Sequence, residues 1–433
     1  MPEFLQLLPP EEARALLFSN LPVKKINQEK IETSSSLGRV IAGNVSAPHS
    51  LPEFLRSTVD GYAVLARDTF GASDSMPAYL TLLDEIPMGS APSHGIGSGQ
   101  CGLIHTGGML PPGANAVVML ENTQVALGGD RPIPGGEIEI FRAVADGENV
   151  IQIGEDVRSG SVVLKSGARI RPAEVGGLMA LGITHLSVAA KPKVGLISSG
   201  DEIIDPFKQT QPGQVRDINA YTLAALVTKT GGDPILYGIV PDVRSDLEAT
   251  TRRALNECDV VVITAGSSAS TRDMTADVIA SLGTPGVLVH GINTRPGKPT
   301  ILGVCDGKAV IGLPGNPVSA LVNGYLFVVP LIEKLLGETP HPLPVIAAKL
   351  TVNLPSQAGR EDWIPVKLTP LVSSRHSLHF QRKWGETEGG WVAEPIFGKS
   401  NLIFTLTAAD GLLRIPPDVT GYGAGEMAEI ILF

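Results

Sequence analysis

Between about residues 190 and 338, short apolar runs alternate with amphipathic stretches, and this alternation constrains the fold more than any other feature of the chain. The runs VGLIS (194–198), VVVIT (260–264), VLVH (287–290) and AVIGL (309–313) are mostly apolar, as strands covered on both faces must be. Amphipathic helices are expected between them. Leu223, Leu226, Val227 and Thr230 keep helical spacing before Gly231, and Met274, Val278 and Leu282, four apart, predict a helix over 272–282 that stops at Gly283. Ser245 and Glu248 form the S-x-x-E pattern of a capping box for a helix ending near Asn256. Such alternation implies a right-handed, mostly parallel α/β sheet.

The 433 residues suffice for two to four domains, so the α/β unit has company. A short helix is expected over 10–18, followed by a polar stretch at 33–37. From about 50 to 150 the pattern is β-rich, with short runs such as 62–65 and 116–120 broken by glycine and proline. Another helix is expected over 172–182, with Pro172 early in it and Gly182 as its stop. Beyond Gly337 a proline-rich hinge, TPHPLP (339–344), leads to strand-like runs at 345–352, 363–368 and 427–433, read as a separate small β domain. Gly 49 and Pro 34 together make about a fifth of the chain, which excludes a simple helical bundle or coiled coil.

Charge and cysteine narrow the function classes. Lys+Arg 34 against Asp+Glu 44 gives a net charge of −10, which argues against a general nucleic-acid face or an anionic-membrane patch. Cys101, Cys258 and Cys305 lie far apart, so neither a disulfide framework nor a thiolate zinc site is supported, and a reducing compartment is expected. The start, MPEFLQLLPPEEAR, lacks the pattern of a secretory signal. The uncharged segment 309–332 is long enough to span a membrane, but Pro314, Gly315, Asn316, Pro317, Asn323 and Pro330 make it read as strand, turn and buried helix. A soluble, cytoplasmic protein is the expectation.

In an open α/β sheet, ligands bind beyond the carboxyl ends of the strands. Three polar, glycine-bearing turns follow strands here: SSGDE (198–202), AGSSASTRD (265–273) and PGNPVS (314–319). In the last, Gly315, Asn316 and Pro317 would start a helix whose Val318 and Ser319 amides face outward as an anion cradle. Gly200 in the first turn, and Gly266, Ser267 and Ser268 in the second, follow the same logic. Each turn alone is equally well a tight connection with no ligand, whereas three at one edge point to phosphate or another oxyanion. None is a Walker A loop or a Rossmann fingerprint. Asp201, Glu202, Asp242 and Asp273 recur at the same edge, where Glu202, Asp242 and Asp273 could hold a hard cation such as Mg²⁺ between carboxylates and phosphate oxygens. Arg295 and Lys298, in RPGKPT, add positive charge on a proline-stiffened loop. His376 and His379, spaced i, i+3, have no third ligand nearby and read as a surface β segment.

Several of these blocks together resemble the molybdopterin molybdenumtransferase family, called MoeA in bacteria and related to the E domain of gephyrin. They are RSTVDGYAV (56–64), HTGGMLPPGANAVVMLE (105–121), GEDVRSG (154–160), SSGDE, PGKPT (296–300) and GLPGNPVSA (312–320), with a weaker match at KSNLIFTLTAADGLLRIP (399–416). The resemblance implies an elongated four-part subunit, divided as 1–50 plus 150–188, 51–149, 189–338 and 345–433, in a homodimer whose active site lies between subunits. It implies insertion of molybdate into adenylylated molybdopterin, with hydrolytic release of AMP and Mg²⁺ as cofactor. By position, Asp60 becomes the key carboxylate, with Thr106, Asp156, Glu202, Asp242 and Asp273 completing the polar site. Gly200, Gly266, Ser267, Ser268, Gly315, Asn316 and Pro317 would then hold the pterin phosphate and adenylate, while Ser268, Arg295, Lys298, Ser319 and Arg360 surround molybdate. Read without the family, Asp60 is a turn cap before the Tyr62 strand, and a carboxylate with no positive charge nearby suits cation binding or water orientation better than nucleophilic attack.

The chain departs from the family pattern at several points. AGSSASTRD stands for the usual GGVSxGxxD, TGG at 106–108 for TGA, Asn115 for the aspartate of GAD, and Arg295 for a lysine before PGKP. A changed cradle keeps three alternatives open: a tungstate-inserting paralogue, a non-catalytic pterin- or oxyanion-binding scaffold or sensor, and a nucleotide pyrophosphatase using only the α/β cradle.

Overall fold

The central sheet has six strands in the spatial order Asp233–Val240, Lys193–Ser199, Val260–Ala265, Lys308–Pro314, Ile301–Cys305, Pro285–His290. The structure is a computed structural model that describes residues 7–23, 25–126, 132–265, 269–371 and 390–433, with backbone alone at 269–273. The first four strands are parallel. Ile301–Cys305 is antiparallel to both its neighbours, so Pro285–His290 runs with the other four and five strands end at one edge.

Period-two alternation explains why this sheet needs cover on both sides. Val260 and Val262 face one apolar cluster with Leu223, Leu226 and Val227, while Val261 and Ile263 face a second with Leu247, Leu255, Val278 and Ile279. Helices Asn219–Thr230 and Pro10–Ser19 and the helical run beginning at Pro317 therefore cover one face; Arg244–Glu257 and Ala269–Ser281 cover the other. The uncharged segment resolves into the expected strand, turn and buried helix. Its helical run, Pro317–Leu336, is apolar and long enough by composition to cross a membrane, yet Phe327, Val328, Leu331 and Ile332 are fully buried against the sheet. A π-helical turn, Gly324–Val328, lies just before Pro330, which can donate no hydrogen bond to the turn behind it. Truncating Phe327 to alanine would cost about 3–5 kcal/mol.

Two local expectations are corrected. Helix Arg244–Glu257 starts with Val243 at its N-cap, so Ser245 is already inside it. The Ser245 hydroxyl donates to Asp246 and Glu248 pairs with Arg252, which leaves no capping box. The helix expected over 272–282 begins instead at Ala269, because apolar spacing marks only the buried face and says nothing about a first turn made of Ser and Thr. Strand Ile301–Cys305 is an addition. It is joined to Lys308–Pro314 through Asp306-Gly307, both at positive φ (48° and 81°), the Asp-Gly signature of a tight hairpin.

On the amino-terminal side, a six-stranded sheet runs in the order Ala116–Met119, Gly61–Val64, Gln100–Ile104, Ala78–Glu85, Glu137–Ile140, Thr123–Val125. Gly61 of the VDGYA block is forced by close approach, since a Cβ there would lie 1.9 Å from the Val118 carbonyl oxygen. Gln28–Glu32 pairs with His185–Ala189, bringing distant parts of the chain together. At the carboxyl end, Glu361–Pro370, Trp391–Pro395, Val345–Leu350, Met427–Leu432 and Gly411–Ile415 close on themselves as a barrel, and Thr294–Arg295 adds to its Glu361 strand. The expected class, an α/β centre flanked by β-rich units, is the observed one.

Candidate active site

The five co-directional strands deliver SSGDE, Asp242, Ala265, PGNP and RPGK to a single edge of the sheet. There the Ser199 hydroxyl donates to Asp242 Oδ1 at 2.8 Å, and the Asp242 amide donates to Asp201 Oδ1 at 3.1 Å. Asp201 thus fastens the turn, and Asp242 is held in place with an oxygen to spare. Gly200 leaves room for Glu202, because a Cβ would sit 2.8 Å from Glu202 Oε2. Glu202 and Asp242 follow neighbouring strands, so two hard carboxylates lie at the same edge. Gly266, Ser267 and Ser268 lie outside the described residues, as do the side chain of Asp273 and both His376 and His379.

Arg295 and Lys298 follow strand Pro285–His290 and are exposed, and their side chains have no hydrogen-bond or ion-pair partner among the described residues. Their loop is docked by Asn323, which is fully buried and donates through Nδ2 to Ser319 O at 2.8 Å and Pro296 O at 3.3 Å. Gly297 is required beneath it: its φ is +103°, and a Cβ would lie 1.6 Å from Asn323 Nδ2. Asn219 likewise holds the PGN turn, donating to Gly315 O at 2.8 Å. Ser199, Asn219 and Asn323 are positioning groups that motif reading missed, because each acts across the fold.

Two expectations about anion contacts are overturned. The Val318 amide does not face outward; it donates to Ser400 O at 3.0 Å, and Ser319 is 97% buried, being 3% exposed. Pro317 has no amide, and Asn316 makes no side-chain cap, so the start of this helix is packed against the carboxyl-terminal unit and forms no open cradle. Arg360 is committed as well. Its guanidinium grips Asp362 with two bonds of 2.7 and 2.9 Å, and the Ser356 hydroxyl donates to the same buried carboxylate. Residues two apart in an extended segment share a face, which is why Arg360 meets Asp362 before it can meet a ligand.

The Asp60 cluster lies in the amino-terminal sheet. Gly61 pairs with Ile104, so the residues flanking that pair, Asp60 and His105-Thr106, are brought together by register. Asp60 Oδ1 accepts from the Thr106 amide at 2.8 Å and from its hydroxyl at 3.2 Å, and His105 Nδ1 stands 3.7 Å away. The Thr106 amide is the main reason the Asp60 carboxyl is held below its usual range; desolvation, the next cause in size, opposes this, and the Thr106 hydroxyl and His105 reinforce it. Positive charge is therefore available beside Asp60 when His105 is protonated, which corrects the expectation that none lay nearby. Asn115, at the departure from GAD, accepts from the Ala66 amide at 2.7 Å and serves the turn locally. Asp156 is exposed on a loop tied to Leu51 by its amide, at 3.1 Å, and makes no hydrogen bond to Asp60. Among the described residues, no hydrogen bond or ion pair joins Asp60, Thr106 or Asp156 to the sheet edge.

An open α/β sheet with carboxylates and exposed cations at its carboxyl edge, flanked by β-rich units that carry a second acid cluster, is an arrangement suited to an anionic ligand. Sequence comparison specifies it. Residues 8–182 match the MoeA N-terminal region (domain I and II), 195–334 a domain described as "Probable molybdopterin binding domain", and 347–433 the MoeA C-terminal region (domain IV). A molybdopterin molybdenumtransferase of Bacillus subtilis is 31% identical over 94% of this chain and 90% of its own length. One from Haemophilus influenzae is 33% identical over 82% of this chain and 84% of its own. The crystal structure of the molybdopterin biosynthesis MoeA protein of Pyrococcus horikoshii superposes with a TM-score of 0.82 at 33% identity, covering 99% of this chain and 100% of that one. The chain belongs to the MoeA family of molybdopterin molybdenumtransferases, enzymes of molybdenum cofactor biosynthesis.

Proposed function

We propose that this enzyme inserts molybdate into adenylylated molybdopterin, with hydrolytic release of AMP. The observation that carries this reading is the sheet edge, where the Ser199-held Asp242 shares one rim with the unpaired cations Arg295 and Lys298. The cations attract molybdate and the substrate phosphates by charge and by N–H donation. Glu202 and Asp242 fit Mg²⁺, whose preference is for carboxylate and phosphate oxygens, and Asp273 is placed by sequence to join them. When bound, Mg²⁺ would neutralise phosphate charge. Asp60, ionised and anchored at Oδ1, orients the attacking water through Oδ2. Gly315, Asn316 and Pro317 shape the rim near the pterin phosphate, with Asn219 fixing that turn.

Among the described residues no hydrogen bond or ion pair joins the two acid clusters within one subunit, and a homodimer in which Asp60 of one copy faces the sheet edge of the other would complete the site. Cys101, Cys258 and Cys305 are free and buried, which supports a reducing, cytoplasmic setting. Incubating the purified protein with Mg²⁺, molybdate and adenylylated molybdopterin should yield cofactor and AMP. A parallel arm with tungstate reads oxyanion preference. Tight calorimetric binding with no AMP release would replace the enzyme by a binding scaffold.

A further inference from the structure

Among the described residues, every hydrogen-bond and ion-pair partner of the Asp60 carboxylate falls on one oxygen. The Thr106 amide (2.8 Å), the Thr106 hydroxyl (3.2 Å) and His105 Nδ1 (3.7 Å) all meet Oδ1. The far side of the imidazole is also engaged, with His105 Nε2 at 2.9 Å from Glu85 Oε1. Sheet order explains the row. Asp60 leads into Gly61–Val64, His105 follows the adjacent strand Gln100–Ile104, and Glu85 ends the next one, Ala78–Glu85, opposite Leu103. Three neighbouring strands thus deliver carboxylate, imidazole and carboxylate in a line. A neutral imidazole has one N–H and can serve only one of the two acids; an imidazolium serves both. Arg56, also at this corner, is turned to Gly107, donating from Nε to its carbonyl at 3.2 Å.

We propose that His105 and Glu85 are positioning residues for Asp60: the imidazole, backed by Glu85, anchors Oδ1 so that Oδ2 is presented to the reacting water. Resting on Thr106 alone, the exposed carboxylate could rotate about its χ angles; the second anchor restricts that swing. Glu85 touches neither Asp60 nor the Thr106 contacts, so its effect passes through His105. The inference depends on Asp60 being the working acid, as in the reading above.

Four proteins test it: wild type, Glu85→Ala, His105→Gln and His105→Asn. Asparagine places its amide N–H near the former Nδ1, whereas glutamine places it near Nε2. Glu85→Ala and His105→Gln should lower kcat about tenfold, with KM for adenylylated molybdopterin within about twofold and unfolding midpoints unchanged; His105→Asn should recover most of kcat. Glu85→Ala and His105→Gln both within twofold of wild type, or no advantage of asparagine over glutamine, would overturn the proposal. A wild type that releases no AMP refutes the proposed reaction instead. In that case carboxyl-carbon NMR still decides, since the Asp60 titration must move to higher pH in His105→Gln, and an unchanged titration sinks the chain of contacts.

Discussion

Asp60 and the sheet edge handle charge in opposite ways. Around Asp60 the partners are already in place, with an amide, a hydroxyl and an imidazole converging on a single oxygen. At the sheet edge, Asp242 is held, but the side-chain cations that an anion would need, those of Arg295 and Lys298, have no partner among the described residues. Other arginines are spent on structure: Arg169 is bound to Glu338, Arg360 to Asp362 and Arg414 to Glu361. The contrast separates a carboxylate already partnered from side-chain cations left unpaired among the described residues. It also resolves how a chain of net charge −10 can hold an anion, because the sign that matters is that of the few unpaired groups at the rim.

The sharpest way to break the comparison is Asp60→Ala. If Asp60 serves the chemistry and carries little structural burden, AMP release should fall about 10³-fold while the denaturant midpoint of unfolding stays unchanged. A comparable loss of stability would make Asp60 a turn cap after all.

Arg360→Ala should behave in the reverse manner. It strands the buried Asp362 carboxylate and should cost about 3 kcal/mol of stability. The KM for molybdate, measured at a temperature where the variant is folded, should stay within about twofold. A large rise in that KM would return Arg360 to the oxyanion site.

Arg295→Ala or Lys298→Ala tests the waiting charges. Each should raise the KM for molybdate about tenfold with little change in kcat, and added salt should narrow the difference. A fall in kcat at unchanged KM would place these cations in the chemical step.

The smallest effect concerns pH. Because the folded-state pKa of Asp60 is depressed, its stabilising contacts are fully present above the ordinary aspartate value and are lost as pH falls through the depressed value. Thr106→Val removes the hydroxyl yet keeps the amide, the larger cause, so the Asp60 titration should rise only part of the way toward its ordinary value. Carboxyl-carbon NMR measures this directly, and a full return would show that the hydroxyl dominates.

Much of the architecture was legible. Val260 to Ala265 are buried along their whole length, as an unbroken apolar run requires, and the Asp306-Gly307 pair carried a hairpin signal that would have revealed strand Ile301–Cys305. Less of the site was legible. Val318 reads as an outward amide until Ser400, far along the chain, is found accepting its hydrogen bond. Arg360 and Asp362 stood two apart in plain view, but only their extended conformation makes them face each other. His105 adjoins Thr106 in sequence, whereas its tie to Glu85 depends on a parallel strand pairing that no local pattern encodes.

By itself, then, the sequence determined the covered sheet, the edge at which its polar turns gather and the family to which its motifs point, because hydrophobic periodicity, glycine and proline act locally. Only the tertiary structure decided which charges are already paired. Ion pairs and hydrogen bonds form wherever register and packing bring groups within about 3 Å, regardless of separation along the chain. That is why Arg360 is a structural cation, Arg295 and Lys298 remain available, and Asp60 carries its anchors across three strands.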